Sequence, residues 1–327
     1  MDTLDNLIPA FIERLCENSN KQSGLSGLPS GFRELDRLTG GFDESDLIVI
    51  GSRPLMGKTM FMINLIRHMA IEYNIPSLFF SLDMSDSHFI SRMLSAVCEI
   101  DNMRFRNALL SKADWDAINN KIASLNHSPL WIYDKTLTVE ELCDSTTEMV
   151  AQHDIKVVFI DYLQLLSPSV PHENRNQDVA YCMRKLKSLS KELHIPIIVT
   201  SQVNRNAENR IEKNHVFVKP EMHNLRDSGT ICEDANIVLL LDRPELSQRD
   251  TYVDDYYDIK DVLLVSVAKN NNGREDVLKM RFRGDINRID DWNSSEQSGS
   301  LPALGNTDSL SKCHTGDSYF DSAKSPF

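Results

Sequence analysis

One stretch of the sequence has the spacing of a phosphate-binding loop. An apolar run, Leu47 to Ile50, precedes Ser52-Arg53-Pro54-Leu55-Met56-Gly57-Lys58-Thr59, and a helical pattern follows. A loop that ends in Gly-Lys-Ser/Thr between a strand and a helix presents backbone amides to phosphate oxygens. We expect Lys58 to reach the β and γ phosphates and Thr59 to hold magnesium. The predicted phosphate-contacting residues are Ser52, Arg53, Pro54, Met56, Gly57, Lys58, Thr59 and Met60.

This loop departs from the usual pattern at one position. The Walker A pattern is Gly, then any four residues, then Gly-Lys-Ser/Thr. Here Ser52 stands at the position of the first Gly, and Gly51 comes one residue too early. The alternative is a chance Gly-Lys-Thr in an ordinary turn. The agreement of strand, loop and helix favours the phosphate site.

A second candidate is a carboxylate that follows a buried strand. Val157-Val158-Phe159-Ile160 ends in Asp161. The carboxyl ends of parallel strands meet at one edge of a sheet, so Asp161 is expected beside the phosphate loop, where it would support magnesium. Taken alone, this pattern is weak evidence for a magnesium site, because many buried strands end in an aspartate.

The elements that must position these groups alternate between strands and helices. Apolar runs predict strands at 47–50, 78–80, 157–160, 197–199 and 237–241, and helical spacing predicts helices at 58–73, 86–98, 138–153 and 174–194. This alternation indicates an α/β fold with a mostly parallel sheet covered by helices on both faces. The runs at 262–267 and 277–282 lack helical spacers and are predicted to extend the sheet as antiparallel strands.

Three regions differ in character along the chain. Residues 1–23 contain an amphipathic helix pattern with Ile8, Phe11 and Ile12 on one side. A helix of this length is marginal alone, so it must dock on its own core or on another copy. Residues 24–292 form the predicted globular domain. Residues 293–327 are polar, lack apolar periodicity and are predicted to be disordered.

Composition excludes several classes of protein. The chain has 327 residues, 41% of them hydrophobic and 25% charged, which is typical of a globular protein. No apolar run approaches a membrane span and the N-terminus lacks a secretory pattern, so a soluble, cytoplasmic protein is expected. The six cysteines show no Cys-x-x-Cys spacing. A net charge of −13 restricts any nucleic-acid contact to a local basic loop.

With these motifs in order, the sequence resembles the C-terminal motor domain of DnaB-type replicative helicases, a RecA-like P-loop fold of helicase superfamily 4. The resemblance covers about residues 24–290. The motifs that carry it are Gly27-Leu28-Pro29-Ser30-Gly31-Phe32 with Leu35-Asp36, Ser52 to Thr59, Phe80-Ser81-Leu82-Asp83-Met84-Ser85, Ile160-Asp161-Tyr162-Leu163-Gln164-Leu165, Glu173-Asn174-Arg175, Thr200-Ser201-Gln202 and Leu225-Arg226-Asp227-Ser228-Gly229. The family also accepts a small residue at the position of Ser52.

The resemblance implies an ATP- and Mg2+-dependent DNA helicase that forms a homo-hexamer around single-stranded DNA and acts in replication. It gives Gln202 the role of sensing the γ-phosphate. It assigns Arg226, Asp227 and Gly229 to a DNA-contacting channel loop, with Arg205 as a further candidate. Primase or a helicase loader is an expected partner. We expect no counterpart of the family's N-terminal collar domain in this sequence, and residues 1–23 match the family's linker helix in position.

Two departures from the family pattern concern hydrolysis. Asp83 stands where the family places the glutamate that polarises water, and it is one methylene shorter. The resemblance also aligns Lys269 with a lysine that acts on the nucleotide of a neighbouring subunit, while Asn271 occupies the position of the arginine finger. Arg274 could substitute for that arginine.

These departures leave a second hypothesis beside the motor. It is an ATP-binding, ring-forming regulatory or assembly protein with weak hydrolysis. Turnover raised by single-stranded DNA would favour the motor.

Overall fold

The computed structural model describes residues 24–202, 231, 233–247 and 260–292, together with 3–5, 8–9, 11–13 and 16. The predicted polar tail and the predicted DNA contacts Arg205, Arg226, Asp227 and Gly229 lie outside these residues. Within the leader, the described residues from Leu4 to Cys16 are helical. Within the described residues, none of the helices combines the length and the apolar composition needed to cross a bilayer.

A nine-stranded sheet organises the described domain. Its order is β3-β2-β4-β5-β1-β6-β7-β8-β9. The strands are β1 Leu47–Ser52, β2 Ser77–Ser81, β3 Leu130–Tyr133, β4 Val157–Asp161, β5 Ile197–Gln202, β6 Ile237–Asp242, β7 Val262–Asn270, β8 Asp276–Arg283 and β9 Arg288–Asp291. The first six strands in this order, β3, β2, β4, β5, β1 and β6, pair in parallel. The last three, β7, β8 and β9, extend the sheet as antiparallel strands. The predicted α/β class and the antiparallel extension are therefore confirmed.

The helices cover both faces of the sheet. They are Arg33–Thr39, Lys58–Ile66, Asp86–Cys98, Asn102–Arg106, Lys112–Asn126, Val139–His153 and Arg175–Leu193. The Lys58–Ile66 helix continues as a π-helix, Arg67–Glu72, which completes the helix predicted at 58–73. Sequence patterns did not predict Arg33–Thr39, Asn102–Arg106, Lys112–Asn126, β3 or β9.

Alternate residues of the central strand pack into two separate cores. Ile48 and Ile50 of β1 belong to a cluster with Phe61, whereas Leu47 and Val49 belong to the cluster on the other face. All five central parallel strands are buried along their length, apart from half-buried Gln202. Burial on both faces explains why these strands read as continuous apolar runs rather than alternating ones.

The segment before β1 is fastened to the Lys58–Ile66 helix. The carboxylate of Asp36 accepts hydrogen bonds from the amides of Ser30 and Gly31 at 2.7 and 3.2 Å. The ring of Phe32 stacks on Phe61 with 5.2 Å between centroids. These contacts give the Gly31-Phe32 and Asp36 motif residues a structural role, because they shape the segment before β1 and pack it against the helix that follows the phosphate loop.

One irregularity interrupts the antiparallel extension. The pairing of β6 with β7 shifts register between Val238 and Leu239, while Lys269 remains opposite Val238. A bulge of this kind bends a strand locally and changes the direction of nearby side chains.

Candidate functional site

The loop between β1 and the Lys58–Ile66 helix has a backbone shaped to receive an anion. Leu55 and Gly57 have φ values of 69° and 95°, in the left-handed region. The first amides of the following helix have no acceptor within the helix, and the helix dipole places partial positive charge there. The residues predicted from the sequence to contact phosphate, from Ser52 to Met60, therefore lie at the end of β1, in this loop and in the first turn of the helix.

Lys58 projects from this helix start into a half-buried position. Its Nζ lies 5.6 Å from the centroid of the Tyr162 ring. Burial lowers the pKa of the Lys58 ammonium, and the negative charges of Asp161 and Asp83 partly oppose that shift. A bound polyphosphate would supply the negative charge that a half-buried ammonium requires.

Asp161 ends β4 at the same edge of the sheet and is 3% exposed. The Thr200 hydroxyl donates to its Oδ1 at 2.5 Å, and Thr59 also hydrogen-bonds to this carboxylate. Burial raises the pKa of Asp161, whereas these two hydroxyls and Lys58 lower it. A buried carboxylate beside a threonine hydroxyl is an oxygen donor set that suits Mg2+.

Asp83 lies next to Asp161 but faces solvent. The β2 residue Ser81 pairs with Asp161, and the amide of Leu82 donates to the Asp161 carbonyl at 2.9 Å. Asp83 therefore follows the strand that adjoins β4, and its charge acts on both Lys58 and Asp161. The structure thus places an exposed carboxylate close to Lys58 and Asp161.

Gln202 ends β5, where the buried side chain of Gln164 fixes the strand. The Gln202 amide donates to Gln164 Oε1 at 3.2 Å, and Gln164 Nε2 donates to the Ser201 hydroxyl at 2.9 Å. Arg175 donates to the Gln164 carbonyl oxygen. The position of Gln202 thus depends on Gln164 and Arg175, two motif residues that sequence reasoning left without a role.

Three residues behind the loop were not predicted from the sequence. Arg53 forms an ion pair with Asp242 at 2.6 Å. Asp242 is the last residue of β6, the strand that pairs with β1. The Arg243 amide donates to Met56 Sδ at 3.4 Å, and its guanidinium lies 3.8 Å from the centroid of the Phe282 ring. The available signal was a polar pair, Asp242-Arg243, that ends a buried strand. The side of the loop next to β6 and β8 is thus in contact with a group formed by Asp242, Arg243 and Phe282.

Lys269 lies away from the phosphate loop of its own chain. Along β6, Lys269 pairs with Val238, whereas Ser52 at the start of the phosphate loop pairs with Leu241. Three residues of extended strand, about 10 Å, therefore separate Lys269 from the loop. Asn271 follows at the same amino-terminal edge of β6, where its amide donates to the Asn236 carbonyl at 3.1 Å. Arg274 is exposed near Asp276. The structure therefore does not bring Lys269, Asn271 or Arg274 to the cluster around Lys58.

Comparison with known proteins identifies the domain. The family model described as the DnaB-like helicase C terminal domain matches residues 27–291. The chain is 37% identical to a probable replicative DNA helicase from Trieres chinensis over 87% of this chain and 62% of that protein. It is 33% identical to the replicative DNA helicase DnaB of Leifsonia xyli over 88% of this chain and 61% of that protein. The chain thus spans about three fifths of the length of these curated relatives.

Solved structures agree with this assignment. The ATPase domain of G40P superposes with a TM-score of 0.79 and 26% identity over 90% of this chain and all of that domain. A DnaB-like replicative helicase, solved in a study of its interactions with primase, gives a TM-score of 0.77 and 26% identity over 90% of this chain and 68% of that one. The chain therefore belongs to the DnaB-like helicase C-terminal domain family.

Proposed function

We propose that this chain is the ATP-hydrolysing motor of a replicative DNA helicase. The observation that carries the proposal is the cluster of Lys58, Thr59 and Asp161 at the carboxyl ends of β1 and β4, with the exposed carboxylate of Asp83 close to Lys58 and Asp161. The relatives of this domain are named replicative DNA helicases, and their family shares the matched region.

The residues of the cluster divide the chemistry among them. The amides at the start of the Lys58–Ile66 helix bind the triphosphate, and Lys58 neutralises its terminal oxygens. Thr59 and Asp161 hold Mg2+, which supplies positive charge against the phosphates when bound. Asp83 orients the attacking water, and Gln202 contacts the γ-phosphate.

The proposed active assembly is a hexameric ring in which neighbouring copies complete each site. Lys269 serves the nucleotide of the adjacent copy, which fits its place at the opposite edge from its own loop. The leader offers a contact for such a neighbour: Ile8, Phe11 and Ile12 are helical and 51%, 62% and 53% exposed. Burying that apolar side would stabilise a helix too short to persist alone.

Single-stranded DNA is the proposed substrate of the ring. Arg226, Asp227 and Gly229, with Arg205, would contact its backbone from the channel. Six copies concentrate this small positive charge on the strand, which reconciles DNA binding with a net charge of −13 per chain. Primase is the proposed protein partner, by analogy with the related helicase studied with primase; a loader is a further one.

The regulatory alternative with weak hydrolysis is not favoured. Its basis was the replacement of two family residues by Asp83 and Asn271. The carboxylate of Asp83 nevertheless lies close enough to Lys58 and Asp161 to influence both electrostatically. In addition, the relatives of this chain are named replicative DNA helicases.

The decisive experiment measures ATP hydrolysis by the purified chain with and without single-stranded DNA, together with displacement of a labelled strand from a forked duplex. We expect DNA to raise turnover and ATP to drive displacement. ATP uptake without DNA-stimulated turnover would support the regulatory alternative. Absence of nucleotide binding at millimolar Mg2+ would exclude both.

A further inference from the structure

The ammonium of Lys269 is held by backbone oxygens of the segment that precedes β6. Its Nζ donates to the Ala235 carbonyl at 2.7 Å and to the Glu233 carbonyl at 3.4 Å. A lysine side chain has many rotamers in water, so these two acceptors select one of them. The position of the Lys269 charge therefore depends on where residues 233–235 lie.

Asn236 fixes that segment to two other elements. The Leu47 amide donates to Asn236 Oδ1 at 3.0 Å, and the Asn236 amide donates to the Leu47 carbonyl at 2.8 Å. The Asn236 carbonyl accepts from the amide of Asn271 at 3.1 Å. One residue thus joins the beginning of β1 to the segment that holds Lys269 and to the residue that follows β7.

Lys187, from the Arg175–Leu193 helix, completes this connection. Its Nζ donates to Asn236 Oδ1 and, at 2.9 Å, to the Ser45 carbonyl. Burial disfavours the charged form of Lys187, while the negative charge of Asp46 favours it. A half-buried ammonium must keep its acceptors, because an unpaired one is costly. Lys187 therefore holds the Asn236 side chain in one orientation.

The Lys187–Asn236 pair is remote from the phosphate loop of its own chain. Asn236 precedes β6, and Ser52 pairs with Leu241 of that strand. Five residues of extended strand, about 16 Å, lie between them. The pair contacts the surroundings of Lys269 and Asn271, and so belongs to the edge that faces away from the cluster around Lys58.

We propose that Asn236 and Lys187 are positioning residues that place Lys269 for the nucleotide site of the neighbouring copy. This inference rests on the proposed function, in which Lys269 acts across the subunit interface. Removing either side chain takes away a bond to Asn236 Oδ1, which loosens the anchoring of residues 233–235 and lets the Lys269 ammonium move. A displacement of about 1 Å at a reacting centre is enough to lower turnover by as much as about 100-fold.

Mixed assemblies test the proposal, because a copy that cannot use its own site still serves its neighbour. We would combine Asn236→Ala with Lys58→Ala, mix this chain with the unmodified protein, and confirm mixing by native mass spectrometry. Compared with Lys58→Ala alone, we expect the double variant to lower kcat of the unmodified copies by about tenfold, with KM for ATP within about twofold. Asn236→Asp keeps the acceptor oxygens and should restore most of the loss.

Two further variants keep the outcome interpretable. Lys187→Met retains the aliphatic stem and leaves Asn236 in place, so it should reproduce the fall in kcat even if Asn236→Ala folds poorly. Asn119→Ala, at an exposed position of the Lys112–Asn126 helix, is the matched control and should match Lys58→Ala alone.

The possible failures point to different steps. If Lys269→Ala in the Lys58→Ala background lowers the neighbours' kcat but the Asn236 and Lys187 variants do not, the positioning role is wrong and the proposed function stands. A rise in KM with unchanged kcat would also contradict positioning. If Lys269→Ala itself leaves the neighbours unaffected, the trans role of Lys269 fails, and this inference fails with it.

Discussion

Gly57 and Phe282 are in direct contact beneath the phosphate loop: a Cβ atom on Gly57 would lie 2.8 Å from Cε2 of the Phe282 ring. Gly57 also has a φ of 95°, which other residues rarely adopt. The turn that presents the loop amides thus requires glycine for two independent reasons, its backbone angle and the ring behind it.

Gly57→Ala is therefore expected to weaken ATP binding by at least about tenfold, since positive φ alone costs about 1–2 kcal/mol for a residue with a Cβ. Adding Phe282→Leu should recover part of the affinity by removing the steric conflict but not the backbone strain. Gly24→Ala is the control, because Gly24 has a φ of 63° with no atom near its Cβ position. Isothermal titration with a non-hydrolysable ATP analogue gives the affinities. Unchanged affinity in Gly57→Ala would show that the loop does not bind phosphate in this conformation.

Lys58→Ala should reduce ATP turnover by at least about 10²–10³-fold, the usual effect of removing one group that stabilises charge in a transition state. Lys185→Ala removes an exposed lysine that lies over the Tyr181 ring and should leave turnover unchanged. A steady-state phosphate-release assay compares the two. Equal activity of both variants would contradict the assignment of the site.

Substitution of Asp83 separates binding from hydrolysis. Asp83→Asn should lower kcat by about 10²–10⁴-fold, the range for loss of a general base, while nucleotide affinity changes little. Asp83→Glu should increase kcat if the shorter side chain limits the rate. Asp134→Asn, at an exposed position after β3, is the control. Single-turnover kinetics with saturating ATP measures the chemical step. Full activity in Asp83→Asn would exclude this carboxylate as the group that orients water.

Asp46 makes stability depend on pH. It is 4% exposed, and its pKa is raised from 3.8 to about 6, chiefly by burial. The charge of Asp43 contributes to this increase, whereas the hydrogen bond from the Asp43 backbone amide and the charge of Lys187 oppose it. Well below pH 3.8 the carboxyl is protonated in both the folded and the unfolded chain. As pH rises from 3.8 through about 6, the unfolded chain ionises while the folded chain still keeps the proton, so the folded chain loses up to about 3 kcal/mol of stability.

Asp46→Asn should therefore raise the free energy of unfolding at pH 8 by up to about 3 kcal/mol, and at pH 4.5 by only about a third as much. Asp154→Asn, at an exposed helix end, should have no such effect. Urea unfolding followed by circular dichroism at both pH values provides the comparison. A gain of equal size at both values would mean that the carboxylate charge is not its cause.

Arg226→Ala should weaken single-stranded DNA binding and make its salt dependence shallower, because each lost phosphate contact removes about 0.7 from the slope of log K against log salt. Arg37→Ala removes an exposed arginine paired with Glu34 and serves as the control. Fluorescence anisotropy with a labelled oligonucleotide at several salt concentrations gives both quantities. Unchanged affinity for Arg226→Ala would remove this residue from the DNA channel.

The central strands could be predicted because burial on both faces makes them continuous apolar runs. The missed elements lack that signal. Only Asp114 and Ile118 of the Lys112–Asn126 helix are buried. Two local signals could nevertheless have marked this helix: Trp115, Ile118, Ile122 and Leu125 are spaced along one face, and Ser111 and Asp114 form a capping box. β9 buries Ile289 alone and is held by ion pairs of Arg288 and Arg283 with Asp290.

The same distinction applies to the site. Lys58 and Thr59 could be selected because they belong to a Gly-Lys-Thr loop between a strand and a helix, and Asp161 because it ends a recognisable strand. Arg243 reaches the loop because it follows β6, which pairs with β1, whereas Phe282 reaches it only through the pairing of β6, β7 and β8, and no local pattern marks a residue placed in that way. The distance of Lys269 from the phosphate loop is likewise set by its pairing with Val238, which the sequence does not show.

The bulge between Val238 and Leu239 divides the β6–β7 ladder into two sections. On one side, Asp242 pairs with Leu264 and anchors Arg53; on the other lies Lys269. A bulge bends its strand and re-aims the side chains beside it. The extra β7 residue at this step therefore sets the direction in which Lys269 leaves the sheet, separately from the regular pairs that fix Asp242 and Arg53 at the nucleotide end.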